Sequence, residues 1–287
     1  MDLSLIKKKY KRISFGNVLR LNPPKFNEKI KNKKKVIKEF NIDKWGVLLK
    51  FITKFKKIDI VKLDKIYSSN NQIYSPFYYL GNFYLANSIE KSEIEKKIIC
   101  DYVIKNVNNI DNIVELGAGY GSKILHIAKY LKNKKIKKNI FALEYTNNGR
   151  NLIKRISKSM NLEVVVGKCD LNKKSIFNLK FKNRTLFFTS FSLHYCKKIN
   201  KEMINFFFKN TASKVIHFEP CYEAKKRNND HEMICRDYIV KNNYTKNILS
   251  EFLKAETKKK ILLTVKRNVF GENCYLPFSI IKYSKYK

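Results

Sequence analysis

Three glycines stand close together in the segment IVELGAGYGS, between an apolar run and a helical pattern. Gly117, Gly119 and Gly121 alternate with Ala118 and Tyr120. Glycine has no Cβ, so a ligand can approach its backbone closely, and a helix that begins there offers N–H groups without partners inside the helix. The spacing favours a nucleotide-type ligand at this loop, although a tight strand-to-helix turn would use the same residues.

Acidic residues accompany the loop at the ends of predicted strands. Glu115 lies two residues before the first glycine, Glu144 ends the next apolar run, and Asp170 follows the third. A carboxylate offers two acceptor oxygens to adjacent donors such as the hydroxyls of a ribose. A dinucleotide-binding loop would need glycine or alanine at position 122, where this chain has Ser122.

The run E-L-G-A-G-Y-G resembles the first motif, E/D-x-G-x-G-x-G, of the Rossmann-like (class I) S-adenosylmethionine-dependent methyltransferases. The resemblance covers about residues 98–283 and extends weakly to uncharacterised bacterial small-molecule or glycan methyltransferases. It implies S-adenosylmethionine as the cofactor, with Glu144 on the ribose hydroxyls and Asp170 on the adenine amino group, unless Asp170 only forms a turn. The donor-binding residues that it implies are Glu115, Gly117, Ala118, Gly119, Gly121, Glu144, Tyr145, Cys169, Asp170, Leu171 and Ser190.

The stretch TLFFTSFSLHY, residues 185–195, bears on the acceptor. It lacks the N/D-P-P-Y/F sequence of methyltransferases that act on amino groups of bases, and S-x-S-L-H-Y looks more like small-molecule methyltransferases. A hydroxyl acceptor loses a proton, so a base would speed the reaction. The candidate catalytic residues are His194 and Glu219, and His194 is the better base because its ordinary pKa is near neutrality. A structural histidine at a strand end is the alternative.

Four more residues are predicted to bind substrate or to form a lid: Tyr78, Tyr84, Glu223 and Arg236. Both tyrosines belong to SPFYYLGNFY, whose rings would either cover the donor and acceptor or pack the N-terminal helices onto the sheet. No metal site is predicted. His231, like Glu223, is a further candidate base after the fifth strand, although a solvated helix residue is the favoured interpretation of His231. His126 and His217 receive no role.

The organisation of the chain changes near residue 110. Before it the pattern is mainly helical, with a capping box at Ser92 and Glu95. After it, β-rich runs alternate with helical patterns, which is typical of a parallel sheet covered by helices. The predicted strands are 113–116, 140–143, 163–166, 185–189, 214–218, 260–266 and 278–283, and the predicted helices are 123–131, 148–160, 201–209 and about 230–254. The last two strands are joined by a short link and must be antiparallel.

The expected fold is therefore α/β: a mostly parallel seven-stranded sheet with helices on both faces and a C-terminal antiparallel strand pair, preceded by a helical N-terminal region. We expect two parts, residues 1–95 as that helical region with a possible lid and residues 96–287 as the methyltransferase domain.

A formal charge of +37 from 61 basic and 24 acidic residues is the electrostatic signature of nucleic-acid binding. However, arginine, the residue best shaped for phosphate and base contacts, is scarce among them. Lysine, asparagine and isoleucine share A/T-only codons, so base composition is a competing explanation. An RNA acceptor docked on the lysine-rich N-terminal region, including residues 29–38, stays an alternative, and so does a non-catalytic scaffold with the same fold.

The six cysteines are scattered and form no C-x-x-C pair, which favours reduced thiols in the cytoplasm. We see no signal peptide and no run of 18 apolar residues that would span a membrane. The sequence therefore predicts a cytoplasmic enzyme whose partner is a small-molecule or glycan-precursor substrate.

Overall fold

The computed structural model describes residues 3–26, 33–68, 73–173, 176–177, 179–181, 184–199, 201–209, 212–226 and 228–285. Within these residues ten strands form one sheet. The strands are β1 (Arg12–Ile13), β2 (Ser75–Tyr79), β3 (Asn82–Ala86), β4 (Asn112–Leu116), β5 (Asn139–Leu143), β6 (Val164–Gly167), β7 (Thr185–Ser190), β8 (Ala212–Glu219), β9 (Ile261–Gly271) and β10 (Phe278–Lys285).

The helices in the described ranges lie in the N-terminal region and on both faces of the sheet. They are α1 (Leu3–Lys9), α2 (Phe15–Leu21), α3 (Lys33–Ile37), α4 (Trp45–Ile52), α5 (Ile60–Ser68), α6 (Ser88–Ile104), α7 (Ser122–Asn133), α8 (Asn147–Ser159), α9 (Lys201–Lys209), α10 (Asp230–Lys241) and α11 (Ile248–Thr257). A π-helix (Lys38–Lys44) connects α3 to α4, and a 3₁₀ turn (Leu193–Tyr195) follows β7. The prediction of a single helix over about 230–254 is wrong. Residues 242–247 are not helical and separate α10 from α11, and Asn243 in this linker has φ +53°.

The sheet contains all seven predicted strands but is larger than predicted. Its order is β1-β3-β2-β9-β10-β8-β7-β4-β5-β6. Strands β8, β7, β4, β5 and β6 are parallel, and β10 and β9 are antiparallel. The N-terminal strands β1 to β3 extend the sheet beyond β9, also by antiparallel pairing. A mostly parallel seven-stranded sheet is therefore a wrong description, since five of the nine pairings in the described chain are antiparallel.

The hairpin of β2 and β3 explains the error. Leu80 and Gly81 both have positive φ, +44° and +84°, which is the backbone twist that two-residue hairpin turns need. Tyr78 then pairs with Gly271 of β9, so the aromatic segment is part of the sheet. The N-terminal region is not purely helical, and the boundary predicted at residues 95/96 falls inside α6.

Each face of the parallel strands is buried under helices. All five residues of β4 are buried, as expected where helices cover both faces of a parallel sheet. On one face Ile113 belongs to the hydrophobic core shared with α6, α7 and α8, and on the other Val114 belongs to the core shared with α9 and α11. The loops at the carboxyl edge of the sheet are thereby held from both sides.

Each of the six cysteines is free and buried. No helix within the described residues is long and apolar enough to cross a membrane.

Candidate active site

The glycine loop lies at the point where the strand order reverses. The chain passes from β4 to β5 and β6 on one side and returns to β7 on the other, and in such sheets ligands bind at the carboxyl ends of the strands beside that point. Gly117, Gly119 and Gly121 have φ values of +73°, +58° and +88°, which residues with a Cβ rarely adopt. The N–H groups of Gly117 and Ala118 donate to the Leu143 carbonyl at 2.8 and 3.2 Å.

Glu144 is brought directly against the glycine loop. Its Oε2 accepts a hydrogen bond from the Gly119 N–H at 2.9 Å, and its Oε1 accepts from the N–H and Oγ1 of Thr146 at 2.8 and 2.6 Å. Burial raises the pKa of Glu144 above its ordinary value, although these donors oppose the shift. The carboxylate predicted to hold a ribose therefore lies at the loop, with both oxygens engaged by the protein.

Gly149 belongs to this arrangement, and sequence reasoning missed it. A Cβ at Gly149 would lie 2.7 Å from the Gly119 carbonyl oxygen and 2.8 Å from Glu144 Cγ. The missing side chain lets the first turn of α8 approach the glycine loop. A glycine so soon after the acidic residue of a strand end is a signal that the sequence did carry.

Glu115, in β4, contacts the helix that follows the glycine loop. It is 2% exposed, and its Oε2 accepts the N–H of Ile124 in the first turn of α7 at 3.1 Å. Burial raises its pKa to about 8, against the opposing charge of Lys123. Glu115 therefore stabilises the first turn of α7 by accepting a hydrogen bond from its backbone.

The loop after β6 lies beside the glycine loop. Leu171 approaches Gly117, where a Cβ would be 3.9 Å from Leu171 Cδ1, and the buried Cys169 thiol donates to the Leu143 carbonyl at 3.2 Å. Asp170 Oδ1 accepts the N–H of Asn172 at 3.1 Å, the turn-forming geometry that was its alternative role.

The two remaining donor-site candidates lie at strand ends. The carbonyl of Tyr145, a half-buried residue, accepts from Arg150 at 2.7 Å. Ser190, the last residue of β7, has a buried Oγ with no hydrogen-bond partner among the described residues.

Glu219, at the end of β8, organises the turn after β7. Its Oε1 accepts from the Thr189 hydroxyl at 2.8 Å and from the N–H groups of Ser192 and Leu193 at 2.9 and 3.1 Å. The carboxylate is fully buried. Burial opposes its ionisation, but these hydrogen bonds and His194 outweigh burial and hold the pKa of Glu219 below its ordinary value. It is an ionised, buried group.

His194 and Glu219 form a pair. His194 Nδ1 lies 3.3 Å from Glu219 Oε2, and a neutral ring protonated at Nδ1 would donate to this carboxylate and have Nε2 as its basic nitrogen. Ser192 joins this pair to the donor loop, because its Oγ bonds the Leu116 carbonyl at 3.2 Å and its Cβ would touch a Cβ at Gly117. The two predicted catalytic residues are thus next to the glycine loop.

His194 is covered by aromatic rings. It is 2% exposed, with the rings of Tyr195 and Tyr244 centred 4.1 and 4.8 Å from it. Behind the pair, His217 Nδ1 bonds the Thr189 hydroxyl at 2.9 Å, and burial lowers the pKa of His217 to about 4. His217 is therefore neutral in this buried position.

Other predicted residues have structural contacts. Tyr84 is fully buried against Phe77, and Tyr78 is 6% exposed and stacks on His231 at 5.1 Å. Both tyrosines belong to the β2–β3 hairpin, which agrees with packing and not with a lid. His231 is itself buried, with Nε2 2.7 Å from the Cys274 carbonyl, so its prediction as a solvated residue is wrong.

Glu223 and Arg236 also hold the protein together. Glu223 Oε1 accepts the N–H of Ser250 in the first turn of α11 at 3.0 Å. Its Oε2 is buried without a partner in the described chain. Arg236 lies 3.8 Å from the centre of the Tyr222 ring and donates to the Lys225 carbonyl at 3.1 Å. Both residues fix the loop after β8.

Asp64 is an anchor that the sequence did not reveal. Its Oδ1 accepts from the Tyr120 and Ser122 hydroxyls at 2.8 and 2.9 Å, and its Oδ2 lies 2.6 Å from Lys96 and 2.7 Å from His126. Burial opposes ionisation of Asp64, but these partners, His126 first, lower its pKa to about 2. Helix α5 is thereby fastened to the glycine loop and α7.

Comparisons with known proteins bear on the fold and the family. A family model described as a methyltransferase domain matches residues 90–228. Magnesium protoporphyrin IX methyltransferase from Synechocystis PCC 6803 with bound SAH is 10% identical with a TM-score of 0.52, over 88% of this chain and 100% of that one. Its SAM-bound structure is also 10% identical, with a TM-score of 0.50 over 90% and 99%.

Geranyl diphosphate C-methyltransferase from Streptomyces coelicolor A3(2) is 7% identical, with a TM-score of 0.49 over 69% of this chain and 78% of that one. No curated protein matches the sequence.

The family match over residues 90–228, the strand order and the glycine loop show a methyltransferase domain with the Rossmann-like class I fold. The solved structures that share the fold were crystallised with SAH or SAM, and S-adenosylmethionine is the cofactor that the first motif predicts.

The residues present fit this cofactor. Gly117 and Gly119 carry no side chain at the switch point, and Ser192 and Trp45 lie where a Cβ at these positions would project. Glu144 Oε2 accepts one hydrogen bond from the protein and has capacity for another, and Ser190 offers a hydroxyl without a partner among the described residues. These residues would hold the donor beside the pair of His194 and Glu219.

Proposed function

We propose that the enzyme methylates a hydroxyl oxygen of a small molecule or glycan precursor, with His194 as the general base and Glu219 as the residue that positions it. The observation that carries the proposal is the contact of 3.3 Å between His194 Nδ1 and Glu219 Oε2 at the carboxyl ends of β7 and β8. A carboxylate on Nδ1 fixes the tautomer and orients the ring of a histidine base.

Several features support this role over a purely structural histidine. Glu219 is ionised although fully buried, so it stabilises the positive imidazolium that forms when His194 takes a proton. Ser192 contacts Glu219 and the glycine loop together, which supports a base close to the donor loop. The six buried, free cysteines support a reducing compartment such as the cytoplasm.

The chain's own contribution is alignment and proton removal. S-adenosylmethionine supplies an electrophilic methyl group, so the protein must mainly orient the acceptor, and orientation contributes about 7–11 kcal/mol in favourable cases. His194 Nε2 accepts the proton that the hydroxyl loses. The rings of Tyr195 and Tyr244 around His194 exclude water from it.

The test is transfer of labelled methyl from S-adenosylmethionine into a host lysate that is then separated into RNA, protein, and small-molecule or glycan pools. We expect label in the small-molecule or glycan pool. With that pool as substrate, His194→Ala should lower kcat by about 10²–10⁴-fold and leave the calorimetric affinity for S-adenosylhomocysteine unchanged.

Glu219→Gln tests the positioning role. It removes the charge but keeps the shape, so it should lower kcat and shift its pH dependence, since the neutral amide no longer favours the imidazolium. Label in RNA alone would contradict the small acceptor, and full activity of His194→Ala would contradict the base.

A further inference from the structure

The segment of residues 38–52, which comprises the π-helix and α4, lies across the donor site. Trp45, the first residue of α4, is 7% exposed. A Cβ at Gly119 would be 3.1 Å from Trp45 Cζ2, so the indole lies directly on the backbone of the central loop glycine. We call residues 38–52 the cover segment.

The cover segment is held at both sides of the switch point. On the β5 side Asn41 Oδ1 accepts the N–H of Asn148, in the first turn of α8, at 2.9 Å, and Asn148 Nδ2 donates to the Asn41 carbonyl at 2.6 Å. On the β7 side the ring of Phe40 meets the ring of Tyr195 edge-on at 5.1 Å. The segment therefore spans the loops that follow β4, β5 and β7.

The close approach depends on small residues and on an unusual helix. A Cβ at Gly46 would lie 3.0 Å from the Asn41 carbonyl oxygen and 3.2 Å from Asn148 Nδ2, so a larger residue would push the segment away. The π-helical turn before Trp45 is a rare geometry that occurs frequently at functional sites. Neither feature is needed for a helix that only covers a hydrophobic core.

A series of contacting aromatic rings connects the glycine loop, through the cover segment, to His194. Trp45 contacts Tyr120 of the glycine loop at 5.2 Å and Phe40 at 6.1 Å. Phe40 contacts Tyr195, which lies on His194. A displacement of Trp45 would thus be transmitted to the ring that covers the base.

We propose that the cover segment is the lid of the donor site and that Trp45 is the side chain that leaves Gly119 when the donor enters and then packs against it. This assigns the lid to residues 38–52 instead of the β2–β3 hairpin. The inference concerns the donor half of the site and does not depend on the hydroxyl acceptor proposed above.

The chain contains one tryptophan and 17 tyrosines, so fluorescence excited at wavelengths that tyrosine does not absorb reports on Trp45 alone. Titration of the protein with S-adenosylhomocysteine should change that fluorescence with the same Kd as calorimetry gives. Binding heat with unchanged fluorescence would contradict the lid proposal but not the donor site. Absence of binding heat would contradict the donor site itself and the lid with it.

Binding kinetics test the movement. Opened minor states are typically populated at about 0.1–10%, so Trp45→Ala should raise the association rate constant for S-adenosylhomocysteine about tenfold or more in surface plasmon resonance. Its dissociation rate constant should also rise, because the lid no longer packs on the ligand. Phe55→Ala is the matched control: it truncates an aromatic residue just beyond α4, whose ring contacts Phe51 at 5.2 Å, and should leave both rate constants unchanged. Wild-type rates in Trp45→Ala would overturn the proposal.

Discussion

At the scale of single residues, the glycine loop is held by Glu144, which is near it in sequence, and by Asp64 and Trp45, which are far from it. The glycine loop and Glu144 are adjacent to strand ends in sequence, so a local pattern revealed them, and the structure joins them by the hydrogen bond from Gly119 to Glu144. Trp45 and Asp64 reach the same loop from far upstream. Their side chains carry no local signal of that contact, since tryptophan at helical spacing is ordinary core.

Gly119 offers a prediction at this scale. Gly119→Ala combines a left-handed backbone at φ +58° with a methyl group in the donor site, whereas Gly81→Ala has φ +84° and nothing within 4 Å. Each should lose about 1–2 kcal/mol of unfolding free energy through backbone strain. Only Gly119→Ala should also weaken binding of S-adenosylhomocysteine in calorimetry. Equal affinities in the two variants would show that the loop does not contact the donor.

At the scale of elements, strand positions were predicted better than helix boundaries. Buried parallel strands are continuous apolar runs, which stand out in a lysine-rich chain. The start of α6 was misplaced: the capping box is formed by Asn87 and Glu90, with the Glu90 N–H donating to Asn87 Oδ1 at 2.9 Å, and not by Ser92 and Glu95. Glu95 instead forms an ion pair with Lys123 at 2.9 Å. The sequence pattern alone does not distinguish a glutamate in such a tertiary ion pair from one in a capping box.

The junction of α5, α6 and α7 depends on Asp64. Asp64→Asn leaves Lys96 and His126 without their buried counter-charge, so we expect a loss of about 3–5 kcal/mol in the free energy of unfolding by urea. The pKa of this carboxyl is depressed to about 2, so its contribution is complete above its ordinary pKa of 3.8 and is lost as the pH falls toward 2.

Asp101→Asn is the control for Asp64→Asn. It breaks an exposed ion pair with Lys97 at 3.2 Å and should cost no more than about 0.5 kcal/mol. Similar losses in the two variants would contradict the anchoring role of Asp64.

At the scale of the whole molecule, the N-terminal residues complete the sheet. Strand β2 pairs with β9, and Phe77 contacts Phe270 at 5.7 Å. The residue pattern did not predict this pairing, because an aromatic hairpin is compatible with a lid as well as with the edge of a sheet.

A fragment of residues 87–287 tests this dependence. It keeps the whole region matched by the family model but exposes the edge of β9, where Phe270 is fully buried in the intact protein. Unpaired edge strands associate with other chains, so we expect aggregates in gel filtration and no cooperative thermal unfolding. A monomeric fragment that unfolds cooperatively would show that residues 1–86 are an independent addition.

The pairing of β2 with β9 also orders events during synthesis. The ribosome makes the aromatic hairpin of residues 75–86 long before β9 and β10 exist. Contacts between residues distant in sequence form slowly because the chain between them must first be ordered. Phe77 and Tyr84, which are fully buried in the folded protein, are therefore exposed in the nascent chain until residue 271 has been made. The yield of folded protein in a cell should depend on chaperones that bind exposed aromatic segments during this time.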